Sequence, residues 1–200
     1  MNKYKERFAI ETEARTLAEA ARGADVLIGV SSPGIFTEEI VKSMNSNPII
    51  FAMANPEPEV RPELARKYRS DCIVATGRSD YPNQINNVMC FPFLFRAALD
   101  TRATQINEEM KMAAAIALAN LVRKPVPDSV KKAIPGREFE FGRDYIIPTP
   151  FDPRLITELP VAIAKAAMTS GVATQKIEDF ELYKKQLLQR VTAKHRIAKL

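Results

Sequence analysis

Three short runs of apolar, largely β-branched residues constrain the fold of this chain most. They are Asp25-Val26-Leu27-Ile28-Gly29-Val30, Pro48-Ile49-Ile50-Phe51-Ala52-Met53 and Cys72-Ile73-Val74-Ala75-Thr76. Each has the length of a buried strand and is closed by a turn signal, respectively Ser31-Ser32-Pro33-Gly34, Ala54-Asn55-Pro56 and Gly77. Helix-forming stretches precede them. Residues 12–22 are rich in Ala and Glu and stop at Gly23; Thr37 can cap a helix running to about residue 43; Pro62 suits the first turn of a helix reaching Tyr68. Helices alternating with continuously apolar strands predict a parallel sheet covered on both faces. The fold class is therefore α/β, with a partial doubly wound, Rossmann-like sheet.

Beyond residue 90 the pattern turns helical. Residues 91–100 and 107–122 read as helices, the second with Glu108 and Glu109 in its first turn, where the helix dipole favours acids. Residues 125–151 read as irregular, punctuated by Pro125, Pro127, Pro135, Gly136, Gly142, Pro148 and Pro150. Helices resume over 154–170, ended by Gly171, and over 178–197, amphipathic through Phe180, Tyr183, Leu187, Leu188 and Val191. No internal repeat is visible.

A dinucleotide-binding α/β domain normally opens with a strand, a G-x-G-x-x-G turn and a helix. The seven glycines, at 23, 29, 34, 77, 136, 142 and 171, do not form that fingerprint. The sheet thus reads as the second half of a larger one, and one of its edges should be an exposed apolar strand.

Charge narrows the function classes. The net charge is +5, but residues 184–200 hold six basic residues and no acid, which leaves 23 basic against 24 acidic residues elsewhere, a net of −1. A near-neutral body with a basic end argues against a nucleic-acid binder, which would spread its charge over the fold. The longest apolar runs fall well short of a membrane span of roughly 18–20 residues. Residues 1–7 have no apolar stretch behind them, which predicts no secretory leader. Two cysteines without paired spacing give neither a disulfide framework nor a zinc site, so the expected compartment is the reducing cytoplasm.

Ligands of open α/β sheets sit beyond the carboxyl ends of the strands. Three loops lie there: Ser31–Gly34, Ala54–Glu57, and 77–87 with Asn83, Gln84, Asn86 and Asn87. Amides donate and accept without carrying charge, which suits a carboxylate, a carboxamide or a ribose hydroxyl and excludes general-base work. Plainer readings stand beside these. Asn55-Pro56 can simply terminate a strand, the amide loop can satisfy its own backbone, and Ser31–Gly34 can be a plain tight turn. Arg78 and Asp80 can pair with each other, Cys72 and Cys90 read as small buried hydrophobes, Asp100 and Asp152 as caps or turns, and His195 has no assigned role. No His, Asp or Glu cluster has metal-ligand spacing.

Taken together the loops are more specific than any one of them. Ala54-Asn55-Pro56-Glu57-Pro58-Glu59, the run from Ala75-Thr76-Gly77-Arg78 through Asn83-Gln84-Ile85-Asn86-Asn87 to Phe93, Tyr145-Ile146-Ile147-Pro148-Thr149-Pro150-Phe151-Asp152-Pro153-Arg154, and Ala164-Lys165-Ala166-Ala167-Met168-Thr169-Ser170-Gly171 closely resemble bacterial malic enzymes. The likeness covers roughly residues 1–183 and is nearest the branch that often carries a phosphotransacetylase-like domain. The resemblance implies oxidative decarboxylation of L-malate to pyruvate and CO2 with NAD or NADP, Mg or Mn as metal, and a homo-oligomer. It assigns Asn55 and Asn87 to the substrate, and Asn55, Asn86, Ser31 and Ser32 to the cofactor. The family's catalytic tyrosine and lysine and its acidic metal ligands lie upstream of the matched region, so no catalytic or metal residue is assigned. The implied layout is residues 1–122 as the C-terminal half of the NAD(P)-binding domain, 123–175 completing the malic core, and 176–200 as a basic helix. The resemblance implies a fragment of a malic enzyme whose expected activity alone is binding without turnover; the alternative is a non-catalytic binding or assembly module that needs a separate N-terminal half. The choice between NAD and NADP rests on residues the chain does not contain.

Overall fold

The computed structural model describes residues 2–197, with side chains through residue 191. His195 and the other basic side chains beyond Arg190 lie outside the described residues. Two compact units divide the chain, Met1–Val74 and Ala75–Leu200.

The first unit begins with a single helical turn, α1 (Lys3–Glu6), capped by the Asn2 side chain. Helix α2 (Leu17–Ala21) starts later than the predicted residue 12. The reason is local: the Thr16 hydroxyl accepts the Glu19 N–H, and the Glu19 carboxylate accepts the N–H groups of Thr16 (2.9 Å) and Arg15 (2.7 Å). This capping box fixes the helix start at Thr16 and leaves the preceding residues outside it. Strands β1 (Val26–Gly29) and β2 (Ile49–Ala52) pair in parallel, Val26 opposite Ile49 and Gly29 opposite Ala52. Strand β3 (Ile73–Thr76) follows β2, with Ile73 N–H bonded to Pro48 O at 2.9 Å, and the sheet order is β1-β2-β3. Helix α3 (Glu38–Ser43) is capped by the Thr37 hydroxyl, and α4 (Pro62–Tyr68) opens on its proline. Leu27, Phe36, Ile40, Val41, Ile50 and Val74 form the core.

The fold is α/β with a parallel sheet, as predicted, and β1 is one of the two edges of that sheet. The expectation of full cover on both faces needs correction at that strand. Leu27 is 8% exposed, but its neighbour Ile28, on the opposite face, is 60% exposed. Successive strand residues point to opposite faces, and the core that takes Leu27 includes Ala21 of α2 and Ile40 and Val41 of α3. Val26 and Ile28 form an uncovered apolar row.

The second unit is helical: α5 (Phe91–Asp100), α6 (Glu108–Leu121), α7 (Asp128–Ala133), α8 (Leu155–Thr169) and α9 (Phe180–Ile197). Helix α8 is its hub and packs against α5, α6 and α9. Its buried residues Leu155, Leu159, Ile163 and Ala167 recur at helical spacing. Helix α6 begins at Asn107, whose side chain accepts the Met110 N–H and donates to Ser170 Oγ at 2.9 Å. Helix α7 lies inside the stretch read as irregular. Pro127 supplies its N-cap position and Asp128 its first-turn acid, so the prolines that mask it in sequence also start it. A small core of Val122, Val126, Val130 and Tyr145 holds this segment. Burial, reinforced by the nearby Asp152 carboxylate, pushes the Tyr145 phenol up to about 12. Of the two cysteines, Cys72 is buried as expected and Cys90 only partly so. No helix among the described residues is long and apolar enough to cross a membrane.

Candidate functional site

In the first unit, β1 and β2 end side by side and deliver Ser31, Ser32 and Asn55 to their carboxyl ends. Parallel pairing continues one step past the strands, with Met53 N–H on Gly29 O at 3.0 Å. The side chains of Ser31, Ser32 and Asn55 are exposed and make no hydrogen bond among the described residues. The Asn55–Pro56 peptide is cis. These hydroxyls and this amide can donate to or accept from a ligand without losing an internal bond.

One acidic residue ties the two strand ends together, and sequence reading assigned it no role. Glu59 is fully buried. Its Oε1 accepts the Ser31 N–H at 2.8 Å and its Oε2 the Ala54 N–H at 2.9 Å. Its own carbonyl accepts the Phe36 N–H at 3.1 Å, and Pro58 O accepts the Gly34 N–H at 3.3 Å. Both loops thus hang on residues 58 and 59. The sequence marks it only as an acid between Pro58 and Val60 in the segment that follows the second strand.

The carboxylate reaches its partners by passing over Gly29. A Cβ on Gly29 would stand 2.5 Å from Glu59 Cδ and 2.7 Å from Phe36 Cζ. Both neighbours are buried, and a side chain at position 29 must displace both. Gly29→Ala is expected to cost about 1–3 kcal/mol through overpacking. Urea unfolding followed by circular dichroism checks this; a loss below about 0.5 kcal/mol, the usual scale of a surface change, would show that the contact relaxes freely.

In the second unit the amide-rich loop divides its work. Ile85 N–H bonds to Thr76 O at 2.8 Å and keeps the loop against the end of β3. Asn83 is buried in the left-handed region, with φ 55°. Its Nδ2 donates to Arg143 O at 2.7 Å and its Oδ1 accepts the Ile146 N–H at 2.9 Å. Gln84 and Asn86 both donate to Gly77 O, and Asn86 Oδ1 also caps the single 3-10 turn Asn87–Met89 through Val88 N–H. The Asn87 side chain is exposed and makes no hydrogen bond among the described residues. The backbone-serving reading of the loop holds for Asn83, Gln84 and Asn86, while Asn87 faces outward. Asn86 keeps one N–H and one lone pair unused.

Arg78 pairs with Asp80 at 2.7 Å, as the sequence suggested, and stacks on Tyr81 with 5.4 Å to the ring centroid. The guanidinium holds the Asp80 carboxyl below the usual carboxylate range. Asp100 and Asp152 do more than cap. Asp152 is buried against Arg154, and Asp100 gathers Arg96, Tyr183 and Arg190. Among the described residues no three His, Cys, Asp or Glu side chains stand together as a metal-binding group. The acids among the described residues do not fit a divalent cation.

Residues 2–135 match the family model for the malic enzyme NAD-binding domain. The chain belongs to this malic enzyme family. It is 57% identical over 190 residues to the NADP-dependent malic enzyme of Rhizobium meliloti, covering 95% of this chain and 25% of that protein. It is 58% identical over 173 residues to the NADP-dependent malic enzyme of Halomonas elongata, covering 86% of this chain and 41% of that protein. The crystal structure of the Entamoeba histolytica malic enzyme matches with a TM-score of 0.77 at 34% identity, over 92% of this chain and 35% of that one. The chain therefore spans about a quarter to two-fifths of the length of these malic enzymes.

Proposed function

We propose that this chain supplies the strand-end side of a malic enzyme's ligand site, where uncharged donors hold a small dicarboxylate against a nicotinamide. Asn55 and Asn87 hydrogen-bond L-malate, and Ser31, Ser32, Asn55 and the spare capacity of Asn86 face NAD or NADP. The supporting observation is the pattern of engagement: the amides of Asn55 and Asn87 and the hydroxyls of Ser31 and Ser32 have no internal partner among the described residues, while the neighbouring amides do. An amide N–H donates to a carboxylate or a carboxamide oxygen without titrating across physiological pH. The bound dinucleotide supplies the hydride acceptor; the chain's own residues orient and hold the substrate.

None of these groups is a base for the malate hydroxyl, and general-base catalysis needs one within hydrogen-bond reach. Turnover in this reading requires a second polypeptide segment carrying the remainder of a malic enzyme core. The uncovered row Val26 and Ile28 on edge strand β1 favours such a partner, because parallel strands are stable when both faces are buried. The test is malate-dependent NAD(P)H formation with Mn, measured for the purified chain and for its mixture with a separately produced remainder of a malic enzyme core. Turnover only in the mixture, falling about tenfold or more with Asn55→Ala or Asn87→Ala, is the expected result. Sustained turnover by the chain alone defeats the reading.

A further inference from the structure

We propose that Glu59 is a positioning residue of this site: its carboxylate, spanning Ser31 N–H and Ala54 N–H, sets where Asn55 and the Ser31-Ser32 loop stand relative to each other. The inference rests on the functional reading above and deepens it.

The geometry argues that this carboxylate is more than filler. A buried carboxylate is costly unless its oxygens are hydrogen-bonded. The rest of this core is built from apolar side chains such as Val41, Ile50 and Val74. Glu59 bridges two segments 23 positions apart, Ser31 and Ala54, and each lies next to a residue with a free polar side chain. N–H donors aimed at a charged acceptor make short, directional bonds, so the two strand ends are fixed to a single rigid group. Gly29 completes the device, since its bare Cα lets the carboxylate pass across the end of β1. The neighbouring carbonyls of Pro58 and Glu59 hold Gly34 and Phe36, so the whole β1 loop follows the Glu59 backbone as well as its side chain. A shift of this carboxylate moves the amide of Asn55 without touching it.

Glu59→Gln keeps the shape but replaces one acceptor oxygen with an N–H donor, so one of the two backbone N–H groups faces another donor. Val74→Ala serves as the control, because it weakens the same core through a cavity. Both variants are compared with the parent chain in the reconstituted mixture described above. Glu59→Gln is expected to lower kcat/KM for malate by about tenfold or more, while Val74→Ala, at an equal or larger loss of Tm, stays within about twofold. Equal losses of kcat/KM at matched Tm, or an unchanged kcat/KM in Glu59→Gln, overturn the inference. If the parent mixture shows no turnover, the functional reading fails and the clamp is judged on the chain alone. The side-chain amide resonance of Asn55 and the backbone resonance of Ser32 should then move in Glu59→Gln and stay in place in Val74→Ala. Unmoved resonances in Glu59→Gln overturn it as well.

Discussion

Leu159→Ala is expected to remove about 2–5 kcal/mol from the unfolding free energy of the helical unit. Leu159 is fully buried in α8, the helix against which α5, α6 and α9 all pack. Its truncation opens a void that several elements share, and none of them can close it without leaving the others. The lost transfer energy of the removed methyl and methylene groups and the lost contacts around the void act in the same direction. Leu182→Ala on α9, at a half-exposed position, is the control, and should cost less than about 1 kcal/mol. Guanidinium unfolding monitored by circular dichroism reads both. A Leu159→Ala loss no larger than that of Leu182→Ala would show that α8 is not the hub.

Asp100→Ala is expected to cost about 2–4 kcal/mol and to loosen α9 from α5. The Asp100 carboxylate accepts from Arg96 of its own helix at 2.9 Å, and from the Tyr183 hydroxyl and Arg190 of α9, both at 2.9 Å. The arginines are half exposed, so their ion pairs contribute modestly. The larger loss comes from Tyr183, which is buried and would keep a hydroxyl without a partner. Burial alone pushes the Asp100 carboxyl up, but the hydrogen bonds from Arg96, Tyr183 and Arg190 outweigh it and hold it below the usual range. Burial, with the hydrogen bond to Asp100, pushes the Tyr183 phenol well above its ordinary value. A depressed folded-state pKa contributes stability that is complete above the unfolded value, about 3.9 for Asp, and is lost as pH falls below it. The parent chain should therefore lose this part of its stability between about pH 4 and lower values, and Asp100→Asn should lack that part of the slope. Parallel pH curves for parent and Asp100→Asn would refute the assignment. Hydrogen exchange of α9 amides gives the local readout, with faster exchange expected in Asp100→Ala.

What sequence reading anticipated here depended on how local the physics was. The helices at Pro62–Tyr68 and Phe91–Asp100 match the reading residue for residue, and each carries a proline in its first turn. Thr37 and Asn107 act as caps through bonds three residues long. The start of α2 was missed because helix propensity over residues 12–16 competes with a capping box that is visible only once Thr16 and Glu19 are paired. The division of labour in the amide loop was not legible, since Asn83 bonds to Arg143 and Ile146, some sixty residues away. Asn55 and Asn87 were legible as candidates through family resemblance, and their lack of internal partners is a finding of the structure. Glu59 left the faintest trace of all. Its partners are backbone N–H groups, which every residue but proline carries, so no side-chain pattern announces them.

The close approach of Glu59 to Gly29 makes the two positions depend on each other. A substitution at either position is filtered by the other: a side chain at 29 demands a shorter residue at 59 and a displaced Phe36, and only a residue with two acceptor oxygens at 59 serves both the Ser31 and the Ala54 N–H groups. The two positions lie 30 residues apart, one ending a strand and the other in the loop before α4. They should vary as a pair among related chains.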